Sequence, residues 1–279
     1  TCPMMYRHQY VRRMDTRKVP VYFVRGRAVH AYIERYYTTK DKDLAKRAAD
    51  QEFSKVDTAL LSPEEIHTLE IERNIVHGIC EAYPVFYAED FTNFKTFLVE
   101  QAATFPLDKN GQHEYYTRLD LLAQDHAGDW WIVETKTASA QALNADYFDR
   151  VHIDNQVIGQ MHGAKHILGV FPRGVIYNVI KMPGIRLKKG ETKGAFQKRV
   201  YLEYKQYGKE KGYFIRDNPI LVGDRHLDEW LVTTLEVTQN LFIKLTIKAK
   251  TWPKNTGACQ MKFGTCKWLP ACVAREYSP

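Results

Sequence analysis

Tyr116-Thr-Arg-Leu-Asp120 and Trp130-Trp-Ile-Val-Glu134-Thr-Lys136 together decide how this chain folds. Each is an apolar run carrying an acid: Leu119, Leu121 and Leu122 flank Asp120, and Trp130, Trp131, Ile132 and Val133 lead into Glu134. Between them, Gln124-Asp-His-Ala-Gly-Asp129 is polar, contains glycine and has hairpin length. The pattern predicts two antiparallel neighbours, with Asp120 on the first strand and Glu134 on the second. Strand side chains alternate faces, so Glu134 and Lys136 share a side and Thr135 takes the other.

Two convergent carboxylates suit a hard divalent cation such as magnesium or manganese, which prefers oxygen ligands. Such a cation polarises a phosphodiester and acidifies water. A lysine beside them orients that water or offsets developing phosphate charge. A surface hairpin bearing a plain Glu–Lys ion pair would use the same residues. Glu100, on the apolar segment before Asp120, is a further acid that could complete the site, or an exposed strand acid.

The chain has 279 residues, 44% of them hydrophobic and 13% aromatic, enough for a substantial core and not a disordered composition. No stretch approaches membrane-span length and no signal peptide is visible, so a cytoplasmic location is expected. Formal net charge is +7, which favours polyanionic partners. Lys181 to Lys211 holds ten Lys/Arg against three Glu, a surplus as large as the whole chain's. Phe196, Tyr201, Tyr204 and Tyr207 interleave there, a combination that nucleic-acid strands bind and that a solvated helix face could also carry.

Taken from the start, Cys2 to Arg13 reads as a short basic helix entered through Pro3, with Tyr6 and Tyr10 on one face. Arg25 to Tyr37 has helical spacing in Ala28, Val29, Ile33 and Tyr36, with Gly26 and His30 one turn apart. Lys40 to Tyr83 is amphipathic and helical, and Ser62-Pro63-Glu64-Glu65 is a capped start within it. Phe97 to Pro106 is a strand, a helix lies within Tyr147 to Leu168, and Gly174 to Ile180 is a buried strand. Strand, helix, strand in that order implies a parallel crossover in a mixed sheet. Tyr213 to Val222 is strand-like, and Leu227 to Leu245 is a long amphipathic helix.

Three of the five cysteines, Cys259, Cys266 and Cys272, crowd the C-terminal stretch, which points to a metal or cluster site rather than a disulfide scaffold. A fourth ligand is needed for tetrahedral zinc or a cubane iron–sulfur cluster, and Cys2 and Cys80 are the candidates. Cys80 otherwise reads as a small buried hydrophobe. No nucleophile elbow and no phosphate-binding glycine loop is present.

In Arg25-Gly26-Arg-Ala-Val-His30, Asp120, Glu134-Thr-Lys136 and Gln156, with Cys2-Pro3 and the closing cysteines, the chain resembles the PD-(D/E)XK nuclease superfamily in its RecB-like exonuclease branch. The resemblance runs from end to end, with a poorly matched insertion after the core. It implies an α/β fold: a mixed central sheet flanked by helices, the restriction-endonuclease-like core, with an N-terminal helical region and a C-terminal cysteine-rich clasp. The corresponding division is one nuclease domain: helical region 1–84, catalytic core 85–180, basic insertion 181–222, and long helix with cysteine cluster 223–279.

The resemblance also assigns roles. Asp120, Glu134 and His30 become ligands of Mg2+ or Mn2+; Lys136 becomes the catalytic lysine; Gln156 helps hold the site and the DNA end. The family usually carries a tyrosine one turn after that glutamine, where this chain has Gln160. Relatives with a 4Fe-4S cluster draw one cysteine from before the Gly-x-x-x-His helix and three from the C-terminus, which selects Cys2, Cys259, Cys266 and Cys272; zinc is the alternative. The implied activity is metal-dependent DNA exonuclease, acting on single strands or free ends in recombination, repair, phage DNA processing or CRISPR spacer acquisition, in a bacterial or phage-infected cell. The implied partners are DNA and a recombination partner or second copy of the chain. A non-cleaving nucleic-acid-binding module of a recombination or adaptation complex is the alternative, and a sequence-specific endonuclease a third.

Overall fold

The computed structural model describes residues 2–14, 20–143, 147–216, 219–248, 251–261 and 264–273. The helices, in chain order, are α1 (Pro3–Tyr6), α2 (Val21–Thr39), α3 (Lys42–Ser54), α4 (Pro63–Phe86), α5 (Asp90–Asn93), α6 (Asn155–Leu168), α7 (Lys193–Tyr207), α8 (Asp224–Thr246) and α9 (Leu269–Val273). The strands are β1 (Phe94–Pro106), β2 (Glu114–Asp125), β3 (Trp130–Ala138), β4 (Gly174–Lys181) and β5 (Phe214–Ile215), with the short pair β6 (Gln260–Met261) and β7 (Gly264–Thr265). Two compact units result: Val19–Val232, and Thr1–Lys18 with Thr233–Pro279.

The larger unit is built on a five-stranded sheet in sequence order. β1 and β2 pair antiparallel, as do β2 and β3, whereas β3 and β4 are parallel, joined through α6 as the strand–helix–strand pattern requires. Leu121, Ala123, Val133, Ile176 and Ile180 of the sheet share a core with Val29, Ile33, Val76 and Ile79 of α2 and α4. Each of these Leu, Ile and Val side chains contributes about 1.5–3 kcal/mol on leaving water. α4 starts where the sequence says it should: Ser62 accepts from the Glu65 N–H, and the Glu65 carboxylate accepts from the Ser62 N–H.

Two of the aromatics expected to meet a nucleic-acid strand in the basic segment, Phe196 and Tyr204, are core residues instead. Residues 193–207 form α7, and Phe196, Val200 and Tyr204 are buried in the core against α4. Those aromatics recur at helical spacing and face inward, so the cations are left on the outer side while Phe196 and Tyr204 are core residues. The strand expected over Tyr213–Val222 shrinks to Phe214–Ile215 and a single bridge from Ile220 to Val175; Asp217 and Asn218 of that expectation lie outside the described residues. Among the described residues, no helix is long and apolar enough to cross a membrane.

In the smaller unit, Pro3 opens α1, which continues as a wider π-type turn over Arg7–Val11. Tyr6 and Tyr10 lie on one side with ring centroids 4.9 Å apart. Cys2, Met4 and Trp252 form its small core.

Candidate active site

The site lies where β2 and β3 part. Their ladder has four pairs, from Gln124–Trp130 to Leu121–Val133, and ends just before Asp120 and Glu134. On its other edge, β2 pairs with β1 at Val99–Leu121 and again at Gln101–Leu119, leaving Glu100 and Asp120 out of the ladder. Glu100 has φ of 51°, a left-handed conformation costly for a residue with a side chain. Alternation breaks at the same place. Thr117 and Leu119 approach α6 beside Gly163, whereas Leu121 turns into the α2–α4 core. The distortion carries Asp120 away from its regular ladder position.

Glu134 is fully buried, and three side chains hold it. Lys136 and Gln156 donate to Oε1, the latter at 2.8 Å, and Gln160 donates to Oε2 at 2.7 Å. Lys136 also donates to Gln156 Oε1 at 2.8 Å. Gln156 reaches this position because Asp154 caps α6, accepting from the N–H groups of Gln156 and Val157, so the helix begins beside the carboxylate. Burial pushes the Glu134 carboxyl up, and the nearby Asp120 charge adds to that, against the opposing pull of Lys136.

Asp120 Oδ2 accepts from the Thr135 backbone N–H at 3.1 Å and lies 3.3 Å from His30 Nδ1. Burial alone would raise the Asp120 carboxyl, but the His30 contact outweighs it and leaves it below the usual range. His30 shifts the other way: burial disfavours its charge, Asp120 more than compensates, and its pKa rises. Thr135 joins the two halves, since its neighbours in sequence and space are Glu134 and Lys136. Its hydroxyl, on the opposite face, accepts from Asn178 Nδ2 at 3.2 Å.

All five residues to which the resemblance gives roles at a divalent-metal site therefore meet in one cluster: His30, Asp120, Glu134, Lys136 and Gln156. Glu100 lies next to them, ion-paired with Arg118; burial raises its pKa, and Asp120 and Glu34 add to the rise. Gln160, one helical turn after Gln156 and at the position where the family pattern places tyrosine, is a further side chain that contacts Glu134.

Among the described residues no group of three or more His, Cys, Asp or Glu is arranged as a ready metal cage. The donor chemistry at the split strands nevertheless fits a hard divalent cation: a buried and a half-buried carboxylate converge, the Asp120 charge raises the cost of ionising Glu134, and an imidazole sits beside Asp120.

The cysteines divide by unit. Cys80 is a fully buried thiol of α4, pushed well above its ordinary pKa by burial. Cys2, Cys259, Cys266 and Cys272 are in the smaller unit, all as free thiols. Burial works to raise Cys2, but N–H donors from Asn255, Met5 and Met4 outweigh it and favour the thiolate. Cys272 is raised by burial and, against the pull of Lys254, by the charges of Cys2, Cys266 and Cys259, so the four sulfurs share one electrostatic neighbourhood. His8 is buried with Nε2 3.6 Å from Cys272 Sγ.

A mixed sheet with an acid on each of two parting strands, a lysine two residues beyond the second acid and a helix at the split defines a restriction-endonuclease-like nuclease core. The chain belongs to the PD-(D/E)XK nuclease superfamily, whose model matches residues 1–272. No curated protein matches it. The solved structure described as "Crystal structure of SSO0001" aligns over 77% of this chain and 86% of its own at 10% identity, with a TM-score of 0.26, too low to add to the argument.

Proposed function

We propose that this protein is a divalent-metal-dependent DNA exonuclease. The observation carrying this reading is the arrangement of Glu134, Lys136 and Gln156 around one carboxylate oxygen, with Asp120 and His30 joined to it through the Thr135 N–H. A bare surface ion pair has no need of a fully buried glutamate with three donors, because burying a carboxylate is costly unless some function or partner uses it.

Asp120, Glu134 and His30 would hold Mg2+ or Mn2+, which when bound supplies Lewis-acid polarisation of the phosphodiester and a more acidic water. The chain's own residues do the rest. Lys136 is partly exposed and tethered by Glu134 and Gln156, so its ammonium is presented at a fixed place to an attacking water or to phosphate charge. Gln156 and Gln160 keep Glu134 from swinging away and exclude water from its inner side. The orientation is set before substrate arrives, which lowers the reorganisation needed in the reaction.

In the smaller unit, Cys2, Cys259, Cys266 and Cys272 would hold a 4Fe-4S cluster, with zinc as the other occupant of a four-thiolate set. The lowered Cys2 pKa and the N–H of Asn255, 3.4 Å from its sulfur, favour a thiolate ligand. Such a centre would clasp the two ends of the chain. Iron and sulfide content of anaerobically purified protein tests it, and a colourless, zinc-loaded sample would replace the cluster by zinc.

The nuclease reading is tested with end-labelled linear DNA and closed circular DNA side by side. Mononucleotide release from the linear form with Mg2+ or Mn2+, none in chelator and none from circles, is expected. Cutting of circles at equal rate would make it an endonuclease, and binding without cleavage would make it a recognition module.

A further inference from the structure

We propose that the groove between α4 and the loop 182–191 binds the sugar–phosphate backbone of a single DNA strand, away from the bond being cut. This deepens the nuclease reading and rests on it for the identity of the polyanion.

The groove has a volume of about 710 Å3 and is open to solvent along the loop. Both carboxylates in its lining are already occupied. Glu72 accepts from Arg25 Nη1 through both oxygens, at 3.1 and 3.0 Å. Glu191 is held by Arg199 at 2.9 and 2.7 Å and by the Lys188 N–H at 3.0 Å. What remains uncompensated in the lining is positive: Arg186, Lys188 and Lys189, all exposed on the loop. Three unbalanced cations along one wall attract an anion with repeated charges.

Apolar side chains also line the groove on both sides, Ile71 and Ile75 from α4 and Ile185 and Leu187 from the loop. A duplex keeps its base faces stacked inside and would leave those apolar side chains uncovered. An unpaired strand can lay bases against apolar surface while its phosphates meet the cations, as in other grooves that hold single strands.

The groove is also placed to receive a strand leaving the active site. The loop is fastened to β3 by the Met182 N–H donating to Ala138 O at 2.7 Å, two residues beyond Lys136. α2 touches the same strand, since a Cβ on Gly26 would stand 3.6 Å from Thr137 Oγ1, and its neighbour Arg25 lines the groove. The Glu191–Arg199 pair and the Arg199 donation to Arg186 O at 2.8 Å pin the loop to α7, so the cationic wall is preformed.

The test compares Arg186→Ala/Lys188→Ala/Lys189→Ala with a control triple of exposed cations elsewhere, Arg47→Ala/Lys95→Ala/Lys109→Ala. Binding of a labelled oligothymidylate is followed by anisotropy in chelator over a range of salt, and hydrolysis of thymidine 5′-p-nitrophenyl phosphate is measured with Mn2+. Each phosphate contact on a single strand contributes about 0.7 to the salt slope, so the groove triple should lose about 2 from it and at least about tenfold in affinity. The control should bind as wild type, and both should hydrolyse the small ester unchanged. Wild type should also bind the single strand more tightly than a duplex of the same length. Equal losses in groove and control triples, or equal duplex binding, would overturn the proposal. Failure of wild type to hydrolyse the ester would instead count against the nuclease reading, while strand binding still decides the groove.

Discussion

Gln160 Nε2 donates to Glu134 Oε2 at 2.7 Å, and both residues are buried. The same nitrogen lies 3.1 Å from Arg118 O, so Gln160 links the acid on β3 to the backbone of β2 on the far side of the split. Its Oε1 is buried with no protein partner.

Gln160→Met should therefore destabilise the metal-free protein by about 1–3 kcal/mol, the cost of stranding a buried polar partner. Equilibrium urea unfolding measures this. A change within about 0.5 kcal/mol, as for ordinary surface substitutions, would mean that the link bears no load.

A second buried network lies beneath β3. Arg216 donates to both oxygens of Asp90 at 2.7 Å, and its guanidinium lies over the Tyr87 ring, 3.8 Å from the centroid. Tyr37 donates to Asp90, and Tyr83 accepts from Asn178, which in turn holds Thr135. Removing one partner leaves the other charge buried alone. Arg216→Met should cost about 3–5 kcal/mol in urea unfolding, with part recovered in Arg216→Met/Asp90→Asn. Equal stability of the single and double variants would deny the coupling.

Close packing of α4 on α7 depends on Gly78. A Cβ there would stand 2.6 Å from Val200 Cγ1. Gly78→Ala should cost about 1–3 kcal/mol through overpacking, and Val200→Gly in the same chain, which removes both Cγ1 and the Cβ at 2.7 Å, should relieve part of it. An additive double variant would show that the helices simply shift apart.

Glu191 is pushed down to about 2 by its hydrogen bonds from Arg199 and the Lys188 N–H. Its folded value lies below the ordinary 4.5, so its contribution to the loop is complete above about pH 4.5 and is lost as pH falls through about 2. A carbon-detected titration of the side chain should give a midpoint well below 4.5, together with movement of the Lys188 amide. A midpoint near the ordinary glutamate value would mean the loop is not pinned.

The hairpin was legible because its turn is polar and its strands are apolar, and Glu134 and Lys136 follow from strand alternation. His30 and Gln156 became legible through the family pattern. Other features were not. Asp90 and Arg216 are 126 positions apart, so no local pattern announces their pair. Glu100 adopts a left-handed backbone that nothing in its neighbours requires. The aromatics of 193–207 read as strand contacts because composition alone does not tell which side of a helix faces the core.

The proposed role of Lys136, acting on a phosphodiester beside a cation held by Asp120, Glu134 and His30, is decided by one paired measurement. Mn2+ binding by calorimetry and nucleotide release from end-labelled linear DNA are compared for wild type and Lys136→Ala. The variant should still bind Mn2+ and lose at least about a hundredfold in release, the contribution typical of a positioned proton-transfer or electrostatic group. Release at the wild-type rate by Lys136→Ala, or by wild type in chelator, would contradict that role.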